Sequence, residues 1–115
     1  MTGAHDTGAA ITIFCLMRPK PGAAAELRQG LVTLVAPTRA EAGCLTYDLY
    51  EEADGALVLF ETWRSTAELE AHQQQPAVRQ FFDDQMPALL DGDMGVHIST
   101  LLSPASAASA SPHYS

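Results

Sequence analysis

Basic residues are scarce in this chain. Six lysines and arginines stand against 14 aspartates and glutamates, a formal net charge of −8 over 115 residues. That deficit argues against nucleic acid and against anionic membranes as partners, since both select Lys/Arg-rich surfaces. Cysteine is also rare. Cys15 and Cys44 form no C-x-x-C and stand in no His/Cys cluster, so no metal site is indicated. Two reduced, small apolar side chains are expected rather than a disulfide. Neither common Gly-rich phosphate loop occurs. No apolar run approaches the roughly 18 residues needed to span a bilayer. The N-terminal MTGAHDTGAA lacks the basic start of a signal peptide. A cytoplasmic location is the expectation.

What is present is a globular body with 47% hydrophobic residues, enough for one domain and one core. Residues 1–10 are Gly/Ala/Thr-rich and 103–115, SPASAASASPHYS, are Ser/Ala/Pro-rich. Both read as loose ends, which leaves 11–102 as the folded domain. Alternation predicts a strand over 11–18, with Ile11, Ile13, Cys15 and Met17 on one face and Phe14 and Leu16 on the other. Pro19 and Pro21 stop it. Leu27, Leu31, Leu34 and Val35 make the apolar stripe of a helix over 22–36, which closes at Pro37 or after one short extra turn before Gly43. Strands follow at 44–52 and 57–64, joined by Asp54-Gly55, a hairpin dipeptide tolerant of positive φ. Ser65 and Glu68 have the spacing of a capping box. The helix they open runs to Gln74, Pro76 interrupts it, and a second piece covers 77–85. A last strand covers 96–102.

The order βαββαβ predicts an α+β, ferredoxin-like fold with both helices on one face of an antiparallel sheet. Two helices cover one face only. Phe14, Leu16, Val58 and Phe60 would fall on the other, a patch that monomers rarely leave exposed. A symmetric homodimer packed sheet to sheet is therefore expected.

The chemistry concentrates in 59–82, LFETWRSTAELEAHQQQPAVRQFF. Glu61 and Trp63 share a strand face. His72 shares a helix face with Leu69. A helix packed on that sheet face would bring acid, indole and imidazole to one small-molecule pocket. His72 is the candidate acid/base, because imidazole exchanges protons near neutrality; the plainer alternative is a helix-to-sheet tie. Glu61 could orient His72 or stay as a raised-pKa acid, or else serve as an ordinary ion-pair or cap acceptor. Trp63 could wall the pocket or simply fill core. Tyr47, placed with Leu45 and Leu49, could offer its hydroxyl there or pack in the core. Of Phe81 and Phe82, consecutive on a helix, only one can face fully inward. Arg79 could reach an anionic substrate or a surface acid.

The segments APTRAEAGCLTYDLY (36–50), LFETWRS (59–65) and ELEAHQQQPAVRQF (68–81) resemble the antibiotic biosynthesis monooxygenase (ABM) family, nearest its small bacterial quinol-monooxygenase-like members. The resemblance covers 11–102 and rests on Gly-Cys-x-x-Tyr, Glu-x-Trp and His-x-x-x-Pro together. It implies a dimeric α+β barrel with one pocket per subunit between sheet and helices. It also implies a chemistry: cofactor-independent monooxygenation of a quinol or related hydroxylated aromatic with O₂. In that scheme His72, alone or oriented by Glu61, is the catalytic base, and Trp63, Tyr47, Cys15, Ile13, Phe81 and Phe82 bind the substrate. Some relatives read Pro-His where this chain has Pro76-Ala77. Haem-degrading relatives carry an asparagine where Cys15 stands and a ligating histidine near Gln73, so haem degradation is not expected. An asparagine of the polyketide oxygenases falls near Leu59. The rivals are an isomerase of the same superfamily working through His72, and a ligand-binding dimer without turnover.

Overall fold

The computed structural model describes residues 9–103. The loose ends expected at 1–10 and 103–115 lie outside the described residues, apart from positions 9, 10 and 103. The elements are β1 (Ile11–Met17), α1 (Ala24–Arg39), β2 (Cys44–Glu51), β3 (Leu57–Trp63), α2 (Thr66–Gln73), α3 (Pro76–Arg79), a π-helical stretch (Gln80–Gln85), α4 (Met86–Leu89) and β4 (Gly95–Thr100). The four strands form one sheet in the order β2-β3-β1-β4, antiparallel throughout. This is the expected ferredoxin-like arrangement.

Alternation places the core. Ile11, Ile13, Cys15 and Met17 of β1 are all buried, as are Leu57, Leu59, Glu61 and Trp63 of β3. Register sets Ile13 opposite Glu61 and Cys15 opposite Leu59, so the two central strands present one continuous face to the helices. Leu27, Leu31, Leu34 and Thr38 of α1 lie on that face.

α1 takes the extra turn, passing through Pro37 to Arg39. One lost hydrogen bond in a final turn is tolerable when that turn buries Thr38, and the chain then tightens, with Ala40 N–H donating to Pro37 O and Glu41 N–H to Thr38 O. The second helical rod continues past Gln85 to Leu89. Pro87 does not stop it, because it falls in the first turn of α4, after the π-helical stretch, where a missing N–H is harmless. Leu45 departs from alternation. A register shift between Cys44 and Thr46 leaves it unpaired and 57% exposed, not alongside Tyr47.

Gly30 matters for packing rather than for its backbone. A Cβ there would overlap the ring of Phe81, so the second rod sits on α1 through this contact. Gly30→Ala should gain about 1 kcal/mol of helix propensity yet lose more through overpacking, which costs about 1–3 kcal/mol. Net destabilisation in chemical denaturation is the expected result; a stabilised variant would show that the Phe81 ring yields freely.

On the uncovered face Phe14 and Phe60 are each 37% exposed and pack edge to face at 6.5 Å, with His97 6.0 Å from Phe14. Val58 is already buried within the chain, and Tyr50, paired with Val58 across the ladder, is exposed. The apolar patch is therefore centred on the two phenylalanines.

Candidate functional site

Ser65 Oγ accepts from Glu68 N–H and starts α2 immediately after β3. Its short length leaves His72 in the last turn, folded back over Trp63. The two rings stack, centroids 4.7 Å apart and planes 30° apart. Tyr47 meets the imidazole edge-on at 5.6 Å. Trp63 Nε1–H donates to Glu61 Oε1 at 2.9 Å, along a single strand face. His72 Nε2 lies 3.9 Å from the same Glu61 oxygen, while Nδ1 lies 3.1 and 3.3 Å from the two oxygens of Glu41. His72 is 3% exposed and Glu61 6%.

Beside this cluster is a cavity of about 330 Å³. Ile13, Cys15 and Glu61 form its floor, and His72, Gln73, Val78, Arg79, Phe82 and Asp83 its helical wall. Met94, just before β4, and Val96 and Ile98 of β4 complete it. Acid and imidazole thus meet in one largely hydrocarbon hollow, as the strand and helix periodicities imply. Trp63 does not border it. The indole is fully buried behind His72 and Glu61, where it holds the imidazole by stacking and the carboxylate by its N–H. Tyr47 is likewise behind the imidazole, and its Oη has no hydrogen-bond partner among the described residues. Phe81 points to Gly30 rather than to the cavity, so of the aromatic candidates only Phe82 lines it. Arg79 reaches the rim, but its guanidinium donates to Gln74 Oε1 at 3.2 Å and lies 3.6 Å from Asp83.

Sequence reading missed Glu41. It precedes the Gly-Cys motif in a turn with no periodicity, and only the tertiary fold brings it 31 positions along the chain to His72.

Burial dominates the electrostatics. It raises the Glu61 carboxyl above the ordinary carboxylate value; the Trp63 hydrogen bond and His72 act against it, and Glu41 adds to it. Burial, with a lesser push from Glu61, raises the Cys15 thiol to about 12. Cys15 is thus a neutral apolar lining group at physiological pH, not a nucleophile. Burial, and then Glu61, also raises the Tyr47 hydroxyl.

Because the folded-state pKa of Glu61 lies above its unfolded value, its contribution to stability is complete below the unfolded pKa. It is lost as pH rises through the folded one. Glu61→Gln keeps an oxygen acceptor for the indole and removes the ionisation. The variant should melt higher than wild type at pH 7, on the order of 1 kcal/mol or a few degrees for a domain of this size, and the gap should close towards pH 4. An equal gap at both pH values, or a lower melting point at pH 7, would contradict this account of Glu61.

A four-stranded antiparallel sheet with its helices on one face and a site between them defines the ferredoxin-like α+β class. The chain belongs to the antibiotic biosynthesis monooxygenase family, whose model matches residues 10–84. Among curated sequences it is 46% identical over 67 residues to Rv0793 of Mycobacterium tuberculosis, covering 57% of this chain and 66% of that protein. It is 38% identical over 60 residues to sll1783 of Synechocystis, covering 50% and 40% respectively. The alignments thus span slightly under two thirds of the first relative and two fifths of the second. Among solved structures, Rv0793 superposes with a TM-score of 0.79 at 39% identity, covering 84% of this chain and 99% of that one. PA3566 of Pseudomonas aeruginosa superposes with a TM-score of 0.71 at 36% identity, covering 84% and 96%. Among the described residues no helix is long and apolar enough to cross a membrane, and no group of three or more His, Cys, Asp or Glu is arranged to hold a metal ion.

Proposed function

We propose that this chain is a cofactor-independent monooxygenase that oxidises a quinol or a related hydroxylated aromatic with O₂. The observation that carries the reading is His72 at the wall of an apolar cavity of about 330 Å³, its Nε2 3.9 Å from the buried Glu61. The provisional monooxygenase name of the mycobacterial relative and the ABM family match support it.

His72 Nε2 takes the phenolic proton of the bound substrate. The resulting anion transfers one electron to O₂, giving a substrate radical and superoxide. Their recombination forms a C–O bond at a ring carbon bearing hydrogen. The peroxide so formed takes back the proton, and loss of water leaves the new carbonyl of a quinone. One oxygen atom of O₂ ends in product and the other in water. The buried Cys15, Ile13 and Val78, with Phe82, give the substrate a hydrocarbon lining, which keeps the anion reactive and the radical pair together. Trp63 and Tyr47 act from behind, by fixing the imidazole.

The isomerase alternative needs a cation free for a phosphate, whereas Arg79 at the rim is already shared between Gln74 and Asp83. The test is anaerobic mixing with a panel of mono- and bicyclic quinols, followed by O₂ addition. Enzyme-dependent O₂ uptake matched by a hydroxylated quinone, one oxygen atom heavier than the parent quinone and formed without H₂O₂, is expected, and its absence across the panel would defeat the proposal. We further propose that the working form is a homodimer joined through the Phe14–Phe60 face.

A further inference from the structure

His72 is faced by a carboxylate at each end of its ring. Glu61 stands towards Nε2 and the cavity, and Glu41 bonds Nδ1 from the opposite side. These two acids differ in how they are held. Glu61 is pinned by the indole N–H. Glu41 is placed by a turn: its own N–H donates to Thr38 O, its C=O accepts from Cys44 N–H, and Gly43, at φ +84°, accepts from Arg64 N–H. Any Cβ at Gly43 would collide with the Glu68 side chain of α2. The turn is therefore clamped to the helix that carries His72, and the Glu41 carboxylate has a fixed address.

A carboxylate oxygen only accepts, so the neutral imidazole facing it must carry its hydrogen on Nδ1. That leaves the lone pair on Nε2, the nitrogen on the side of Glu61, itself a lining residue of the cavity. The other titratable groups around the ring do not compete for Nδ1 among the described residues. Tyr47 of β2 meets the ring edge-on and its hydroxyl has no hydrogen-bond partner among the described residues, Cys15 of β1 lies on the cavity floor, and Arg79 at the rim is shared between Gln74 and Asp83. Glu41 itself retains 19% side-chain exposure against 3% for His72, so solvent reaches the carboxylate but not the imidazole.

We propose that Glu41 is the positioning residue of this site. It holds His72 as the Nδ1–H tautomer, aims the Nε2 lone pair at the cavity, and steadies the imidazolium formed when Nε2 takes a proton. The relevance to turnover rests on the acid–base role of His72 proposed above; the tautomer assignment stands on the geometry alone.

The two are tested separately. Long-range ¹H–¹⁵N correlation spectra of the free, uniformly labelled protein report which ring nitrogen of His72 carries hydrogen, its signals being assigned by their loss in His72→Ala. Wild type should show Nδ1–H. Glu41→Gln keeps an oxygen acceptor and should keep that tautomer. Glu41→Leu should lose it, with Nε2–H becoming a major form. Should wild type carry its hydrogen on Nε2, or Glu41→Leu leave Nδ1–H dominant, the assignment is overturned, whatever the activity on quinols. If Glu41→Leu does not fold, the wild-type spectrum alone decides. In the O₂-uptake assay, kcat should fall about 10²–10⁴-fold in Glu41→Leu, the range for a mispositioned general base. The fall should be smaller in Glu41→Gln, with KM little changed in both. A loss in KM alone would instead mark Glu41 as part of the binding surface.

Discussion

His72→Ala should reduce quinol-dependent O₂ uptake by about 10²–10⁴-fold, the usual contribution of a positioned general base. Under the proposed mechanism the fall should appear in kcat, because Nε2 would take the reacting proton while the apolar lining of the cavity remains. Millimolar imidazole should restore part of the rate, since truncation opens a slot between Trp63 and the cavity. The same change removes the stacked partner of the indole and the tie to Glu41, so melting should fall by about 2–4 kcal/mol equivalents, as for other large buried side chains. These readouts separate the rival readings. A binding dimer without turnover would show the stability loss and no rate to lose. A full rate in a folded His72→Ala protein would remove the imidazole from the chemistry.

The second large effect concerns assembly. Phe60→Asp places a charge at the centre of the uncovered sheet face, next to Phe14. In the single chain Phe60 is 37% exposed, so the monomer should tolerate the change. In a twofold interface the loss counts twice. At about 1.5–3 kcal/mol for each buried phenylalanine, the dimer should weaken by roughly two to four orders of magnitude in Kd, since about 1.4 kcal/mol is tenfold. Light scattering at micromolar concentration should give twice the chain mass for wild type and the chain mass for the variant. A monomeric wild type would refute the sheet-to-sheet homodimer, and so would a variant that still dimerises fully.

Much of this architecture was legible because it depends on period. Ile11, Ile13, Cys15 and Met17 alternate and are buried; Leu27, Leu31 and Leu34 repeat at helical spacing and are buried. Ser65 with Glu68 marked the start of α2, and Asp54-Gly55 the hairpin, since Gly55 adopts φ +94°. Of the two endings expected for α1, at Pro37 or one short turn later, the extra turn is the one formed, held by buried Thr38. The failures came where local rules were overruled by packing or by an irregular turn. Leu45 left its alternation at a bulge. In the site, period correctly brought His72 and Glu61 together but could not tell lining from backing, so Trp63, Tyr47 and Phe81 were expected at a surface they do not reach. Glu41 carried no local signal, because its partner is chosen by how a turn meets a distant helix.

The π-helical stretch Gln80–Gln85 explains how two adjacent aromatics can both serve the interior. Phe81 docks on Gly30 and Phe82 borders the hollow, the rings standing nearly perpendicular with centroids 5.8 Å apart. Anchorage and contour are thereby assigned to neighbouring but separate side chains. The contour residue is free to vary in bulk, and the chamber to be re-tailored in width, while the rod stays moored to its partner helix.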